Sequence, residues 1–401
     1  MNTILKKIYT VLVDTCQVWM NEMRTTFKDE GMLLFVILLP IAYPILYSWI
    51  YNNEVVREVP VAIVDQAHSA TSLEFINKYD ASPDVHVAYH CNSLDEAKQL
   101  VGRQVVYGVI YIPEEFSKNL GRMESSTIGV YCNMGIMLTY KAIYQTATAV
   151  AASMNAKIQI SLSGNYTSRE DAITTHPLDF EEVPMFNNTA GYGNFILPGV
   201  LVLIIQQVLL LGIGLSGGTS YEMGRYAKLK HIYDKRGGTI RIIAGRALCY
   251  FMIFSVMTAY ILLAIPRMFH FVHMLHMYDL VCFALPYLLA CIFFAMAFTV
   301  FIHQREHVML LVVFTSVPFL FLSGISWPGS NIPAIWHYVS YLFPSSFGIQ
   351  GFVKMNTTGA LLSDIKPEIE MLWLQVIIYA ILAGCVQRMQ IRKSLRKKEN
   401  Q

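Results

Sequence analysis

Apolar and polar residues follow one another along this chain in long blocks. A helix needs roughly 20 apolar residues to cross about 30 Å of hydrocarbon, and six runs come close to this length. A helix satisfies its own backbone hydrogen bonds in lipid. The runs cover 31–51, 194–215, 247–266, 280–302, 308–327 and 371–387. The pattern predicts an α-helical polytopic membrane protein with six transmembrane helices.

The segment 52–193, between the first two runs, is polar and has a different pattern. Short β-rich runs alternate with helical stretches in the order β-α-β-α-β-α-β, from Pro60–Asp65 to Thr127–Cys132. This order favours a small sheet with helices on a face. Pro113, followed by two glutamates, is a favourable helix start. We expect an α/β domain inserted between helices one and two.

Residues 1–30 show the pattern of an amphipathic helix that lies along the cytoplasmic membrane surface. Its predicted apolar face is formed by Leu5, Ile8, Leu12, Trp19, Met20, Met23 and Phe27. Its predicted polar face is formed by Lys6, Lys7, Asp14, Gln17, Asn21 and Arg24. Because the polar face carries charges of both signs, a helix packed on soluble protein is the alternative.

Composition supports a membrane protein, since 54% of the residues are hydrophobic and only 14% are charged. The net charge of +2 hides clusters of Lys and Arg before the first span, between spans two and three, between spans four and five, and in the tail 388–401. By the positive-inside rule, both termini are cytoplasmic and the inserted domain is extracytoplasmic. Beside a span, the basic tail indicates a membrane anchor rather than a nucleic-acid partner. We expect a multi-pass protein of the cell (inner or plasma) membrane.

No phosphate-binding loop occurs in the sequence, so we expect no cofactor on this chain. Leu215–Gly218 resembles the ATPase signature but is interpreted as helix-end glycines. The predicted spans contain almost no ionisable groups, which disfavours ion coupling. Their adjacent amides, Gln206 and Gln207, face either a transport pathway or a neighbouring helix.

Two further sets of side chains are candidates for chemical sites. His270, His273 and His276 have a spacing that a metal site would allow in a helix, but a solvated loop is favoured, so no metal is predicted. Cys91 and Cys132 both fall in the outside domain, where an oxidising compartment would allow a disulfide, and the pairing stays open.

Two stretches carry motifs that resemble those of a known family. The loop between spans two and three reads Tyr221-Glu222-Met223-Gly224-Arg225, followed by Ala244-Gly245-Arg246. It is similar to the Glu-x-Gly-Thr and Gly-Lys elements of the type-2 ABC exporter permeases, with arginine in place of Thr and of Lys. From the end of the fifth run onward, the elements Ser323-Gly324-x-x-Trp327-Pro328, Pro333-x-x-Trp336 and Ser340-Tyr341-x-x-Pro344 are similar to the family's fifth-span exit and outer re-entrant helices. The order of these motifs resembles the multidrug-exporter-like branch, which carries a large outside domain between its first two spans.

The resemblance implies roles for both stretches. Within a coupling loop at 216–246, Glu222, Gly224, Arg225, Gly245 and Arg246 would contact an ATPase, although a solvated positive-inside loop is the alternative. An outer gate or re-entrant segment near 328–346 would be formed by Ser323, Gly324, Trp327, Pro328, Pro333, Trp336 and Pro344. A plain interfacial aromatic belt explains the two tryptophans equally well.

The expected function is that of a permease subunit of an ATP-driven ABC exporter, which moves a hydrophobic or amphipathic molecule outward by alternating access. A separate cytoplasmic subunit would bind ATP and Mg²⁺. A second permease chain, identical or related, and a periplasmic adaptor are the other expected partners. The alternative is a membrane-anchored receptor or assembly factor, similar to phage-infection proteins, that acts through its outside domain without an ATPase.

Overall fold

The computed structural model describes residues 2–176, 178, 183, 185–187, 191–327 and 329–399, with side chains described between residues 8 and 396. The chain divides into two compact units. The membrane unit comprises Met1–Glu54 and Met185–Gln401, and the inserted unit comprises Val55–Pro184. Pro328, one of the predicted gate residues, lies outside the described residues.

The secondary structure is mainly helical. The strands are β1 Val59–Asp65, β2 Val85–His90, β3 Gly108–Ile112 and β4 Gly129–Cys132. The helices are α1 Asn2–Lys28, α2 Glu30–Tyr51, α3 Ala70–Asp80, α4 Leu94–Gly102, α5 Phe116–Gly121, α6 Met137–Ser163, α7 Ser168–Thr175, α8 Tyr192–Glu222, α9 Lys230–Tyr233, α10 Gly238–Met268, α11 Met277–Phe301, α12 His307–Leu322, α13 Ala334–Ser340, α14 Pro344–Thr358 and α15 Lys366–Glu399.

The inserted unit contains the predicted alternation of strands and helices around a four-stranded sheet of order β2-β1-β3-β4. β1 pairs in parallel with β2 and β3, whereas β4 runs antiparallel to β3. Val61 and Ile63 pack on one face with α3 and α6, while Ala62 and Val64 pack on the other with α4. β1 is therefore apolar at successive positions, because both of its faces are covered. The helix start predicted at Pro113 is wrong, since α5 begins at Phe116.

Among the described residues of the membrane unit, five helices are long and apolar enough to cross a membrane, namely α2, α8, α10, α11 and α15. The predicted span 308–327 corresponds to α12, which has 16 residues. At about 1.5 Å per residue it is roughly 24 Å long, shorter than a typical hydrocarbon core. Beyond its end, Gly324 adopts φ +83°, a left-handed conformation that suits glycine. The count of six spans therefore stays a prediction.

α8 is the central helix of the membrane unit. Of its most apolar 18-residue window, 89% is buried, and it packs against α2, α11, α12 and α14. α15 continues well past the predicted end of the last span, so the described part of the basic tail extends the same helix. α10 begins earlier than predicted, which places Arg246 inside a helix rather than at its mouth.

Candidate functional site at the basic end of the membrane unit

The side of α1 that packs on the membrane unit carries acidic residues. Asp14 is 4% exposed and the Glu22 side chain 12%, and Asp29 follows at the end of the helix. Spacings of eight and seven residues place the three carboxylates on one side of a helix. We call Asp14, Glu22 and Asp29 the acidic stripe. The assignment of Asp14 to a solvent-facing surface is therefore wrong.

The predicted apolar face of α1 is largely exposed, as a face immersed in lipid would be. Ile8, Leu12 and Phe27 are 52%, 62% and 48% exposed, whereas Trp19 and Met23 pack against the core. The amphipathic helix is thus present, and its position on the membrane surface stays a prediction.

Glu22, in the middle of the stripe, belongs to a buried hydrogen-bond network. Its Oε1 atom lies 3.2 Å from Nε of Arg246, and it accepts hydrogen bonds from the hydroxyls of Ser216 at 2.6 Å and Tyr250 at 3.1 Å. Arg246 is 3% exposed, and its Nη1 also donates to Oε1 of Gln387 at 2.8 Å. A charge removed from water needs such partners to be stable. The network thereby connects α1 to α8, α10 and α15.

Asp14, on the first half of α1, binds both the connection that leads into α10 and the first turn of α10. Nζ of Lys235 lies 2.7 Å from Oδ1, and Nη1 of Arg241 lies 2.5 Å from Oδ2. Burial would raise the pKa of Asp14, but hydrogen bonds and charge from these two residues lower it by more. The pKa of this carboxyl therefore lies below its usual value.

Asp29 forms the elbow between α1 and α2. Its Oδ1 accepts from the backbone N–H groups of Gly31 and Met32 at 3.1 and 3.2 Å, which caps α2, and from Arg305 Nη2 at 2.6 Å. A Cβ at Gly31 would collide with the Arg305 guanidinium, so glycine makes room for this pair. Burial would raise the pKa of Asp29, but Arg305 and the two N–H groups lower it on balance.

Two glycines allow close approaches at this end of the unit. A Cβ at Gly245 would lie 2.7 Å from the Thr15 carbonyl oxygen, so α1 could not pack as closely on α10. A Cβ at Gly218 would lie 3.1 Å from Cα of Arg305. Gly218 lies inside α8, which continues to Glu222, so the interpretation of Leu215–Gly218 as a helix end is corrected by about one turn.

The predicted coupling residues lie around the same junction, but with different contacts. Glu222 ends α8 and accepts from the backbone N–H of Arg305 at 2.9 Å. Gly224 adopts φ +60° and starts the turn that leads to a short 3₁₀ segment, Arg225–Leu229, and α9. Tyr226 in this segment is 2% exposed. It packs in a cluster with Val18, Ile232, Ile242 and Ile391.

Sequence reasoning identified Arg246 and Glu222 but missed their partners. It did not single out Glu22 or Asp29, and it used Arg305 only as a sign of orientation. A detectable signal exists, because acidic residues recur every two turns of a helix in a region whose other charges are mainly basic.

The predicted outer segment is folded into short helices. Ser323 is 1% exposed and its carbonyl oxygen accepts from Nε2 of Gln350 at 3.3 Å. Pro333 precedes α13 and Pro344 is the first residue of α14, positions that need no backbone N–H donor.

The two tryptophans of this segment, Trp327 and Trp336, are 55% and 56% exposed. Exposed indole rings are typical of residues at a membrane interface. A gate role for them stays a prediction.

Gln206 and Gln207 are buried within the helix bundle of one chain, at 1% and 9% exposure. Oε1 of Gln206 lies 3.7 Å from Sγ of Cys291 on α11. The side-chain amide of Gln207 has no hydrogen-bond partner among the described residues. The fold thus places Gln206 against a neighbouring helix of its own chain.

The histidines and cysteines do not assemble into sites in the described part of the chain. Nδ1 of His273 lies 3.3 Å from Oδ1 of Asn356, and no group of three metal-ligating side chains occurs among the described residues. Cys91 and Cys132 are free thiols. Cys91 follows β2 and Cys132 ends β4, on opposite edges of the sheet. Three strand spacings, roughly 14 Å, separate these edges, so the disulfide considered from the sequence does not form.

Comparison with known proteins identifies the family. The model of the family described as "ABC-2 family transporter protein" matches residues 31–384. No match was found among curated proteins. The matched region covers nearly the whole chain and includes the inserted unit, α8, α10 and α11, all of α2 except its first residue and the first part of α15. The chain therefore belongs to the ABC-2 transporter family and is a multi-pass membrane permease component of an ABC transporter, a class that works with an ATP-binding subunit.

Proposed function

We propose that this chain is the permease of an ATP-driven exporter and that the acidic stripe couples α1 to the spans during transport. The observation that carries the proposal is that the stripe binds basic side chains of the connection that leads into α10, of α10 itself and of the connection between α11 and α12. Asp14 binds the connection before α10, Glu22 binds Arg246 within α10, and Asp29 binds Arg305 between α11 and α12.

The charge distribution supports a cytoplasmic location for this junction. Lysine and arginine are concentrated there and in the tail, as the positive-inside rule requires of cytoplasmic segments. ATP and Mg²⁺ would bind the separate ATP-binding subunit. That subunit would dock against the exposed residues of the segment 225–233, and its closure would move α1, α8 and α10 together through the Glu22–Arg246 network.

The cargo is proposed to be hydrophobic or amphipathic, because the described spanning helices are apolar and their buried polar groups are mainly amides and hydroxyls. The transport pathway would lie at the seam of a two-fold pair of permeases, identical or related. The inserted unit would face the outside and contact a periplasmic adaptor where the host has an outer membrane.

The test is co-purification of the full chain with its ATP-binding subunit from native membranes in mild detergent. Lys228→Glu with Lys230→Glu reverses two exposed charges of the docking segment and should abolish co-purification. The matched control, Lys393→Glu with Arg396→Glu on α15, should retain the partner.

A second variant tests the coupling role separately from docking. Glu22→Gln should retain the ATP-binding subunit but lose the stimulation of ATP hydrolysis by transported substrate. A chain that purifies without any ATPase in several detergents would instead favour the receptor-like function. Full stimulation in Glu22→Gln would refute the role of the stripe.

A further inference from the structure

A basic cleft lies at the elbow between α1 and α2. It has a volume of about 660 Å³, and its charged lining residues are Arg24, Lys28, Arg225, Arg305, Asp29 and Glu30. Asp29 and Arg305 form an ion pair with each other. Arg24, Lys28 and Arg225 form no ion pair within the described part of the chain. With Glu30 as the remaining carboxylate, the cleft keeps an excess of two positive charges.

The cleft has the position of a headgroup site. Arg24 and Lys28 lie on the last two turns of α1, within six residues of Glu30, where the apolar span begins. A helix that lies along the membrane surface, as predicted for α1, holds such side chains at the level of the lipid headgroups.

An apolar surface continues from the cleft along the span. Gly31 lines the cleft, and Leu34 and Leu38 are the first and last residues of the π-helical turn that follows it in α2. They are 46% and 57% exposed, so hydrocarbon chains could lie against them. Phe27, on the last turn of α1, is 48% exposed. An anionic phospholipid has both a charged headgroup for the basic residues and hydrocarbon chains for the apolar surface. A soluble phosphate ion has only the charge.

We propose that the cleft binds the phosphate headgroup of an anionic phospholipid from the surrounding leaflet, with the acyl chains along Leu34 and Leu38. Arg24, Lys28 and Arg225 bind the phosphate. Asp29 and Arg305 form an ion pair with each other at the elbow, so neither neutralises the three cations that bind the phosphate. The proposal requires only that the chain spans a membrane, and it does not depend on the coupling role of the stripe.

The experiment measures lipid binding to the purified full chain, without the ATP-binding subunit. Native mass spectrometry in a neutral detergent follows titration with phosphatidylglycerol or with phosphatidylcholine. The wild type should retain phosphatidylglycerol in preference to phosphatidylcholine. A cation near a membrane surface contributes roughly a five-fold gain in affinity for anionic lipid, so Arg24→Ala/Lys28→Ala/Arg225→Ala should lose about 100-fold.

The matched control is Arg236→Ala/Lys393→Ala/Arg396→Ala, which removes three cations that do not line the cleft. It should change binding by less than about three-fold, because these side chains do not line the cleft and the effect of exposed charges is weakened by salt. Thermal unfolding of both triple variants checks folding. If the cleft triple does not fold, Arg24→Gln alone, on an exposed helical position, should cost about five-fold.

Four results would overturn the proposal. One is equal retention of the two lipids by the wild type. Another is an equal loss of phosphatidylglycerol in both triple variants. A third is displacement of the lipid by millimolar inorganic phosphate, which would assign the cleft to a free anion. A cleft variant that keeps the lipid but no longer co-purifies with the ATPase would assign the cleft to the protein partner.

Discussion

The Glu22–Arg246 pair gives the sharpest prediction, because the two side chains are only 12% and 3% exposed and Glu22→Gln removes a charge with almost no change of shape. In Glu22→Gln, the Arg246 guanidinium keeps its hydrogen bonds to Gln387 and Ser216 but loses its negative partner. Removing one partner of a buried ion pair typically costs about 3–5 kcal/mol. For folding units of roughly 150–250 residues, about 2–4 °C of Tm accompanies each kcal/mol, so the expected decrease in Tm is about 6–20 °C.

The double variant Glu22→Gln/Arg246→Met isolates the interaction between the two charges. Removing both charges leaves no unpaired ion, so the double variant should be destabilised by less than the sum of the single variants. The expected coupling free energy is about 2 kcal/mol or more, within the range seen for residues in contact. Thermal unfolding of the full chain in mild detergent, followed by intrinsic fluorescence, measures all four proteins of the cycle.

The matched control for this cycle is Glu370→Gln. The Glu370 side chain is 65% exposed and its carboxylate lies 3.7 Å from Nζ of Lys366. Such a surface pair contributes about 1 kcal/mol or less. If Glu22→Gln shifted Tm no more than this control, and the single effects of the cycle simply added, the buried network would not be a source of stability.

Three further predictions follow from other contacts. Gly31→Ala should displace the Arg305 guanidinium and lower Tm by about 2–4 °C, corresponding to about 1 kcal/mol, while Gly102→Ala at an open position serves as its control. Burial, and to a smaller extent nearby positive charge, lowers the pKa of His273. The contribution of the neutral ring to stability, present above about pH 6.5, should therefore decline as the pH falls below that value. His273→Gln should remove this part of the dependence of Tm on pH. Cys91 and Cys132 should both react with a thiol-alkylating reagent after unfolding without reductant. Peptide mass spectrometry that finds both residues unmodified would contradict the sheet order.

The sequence predicts much of the fold because its strongest signals are local. The apolar runs locate α2, α8, α10, α11 and α15, and the alternation in 52–193 locates the four strands. The same local signals fail at element ends. α12 stops at Leu322 although the apolar composition continues, because Gly324 turns the chain. α10 starts at Gly238 although the apolar run begins later, because tertiary partners satisfy Arg246 inside the helix.

The candidate site could be predicted only in part, because its partners are far apart in the sequence. Glu22 and Arg246 are separated by 224 residues, and no local pattern connects them. Asp14 looks like a member of a solvated face until Lys235 and Arg241 are seen beside it. The role of Gly245 likewise depends on the approach of another helix at Thr15.

The length of α15 has a practical consequence for experiments on this protein. The helix runs without interruption from Lys366 to Glu399, about twelve residues beyond the last apolar stretch. At 1.5 Å and 100° per residue, a helical protein fused in register after this segment would project from the bundle as a rigid marker. Adding one residue to the junction would rotate that marker by about 100°, so its orientation could be set by design for single-particle imaging.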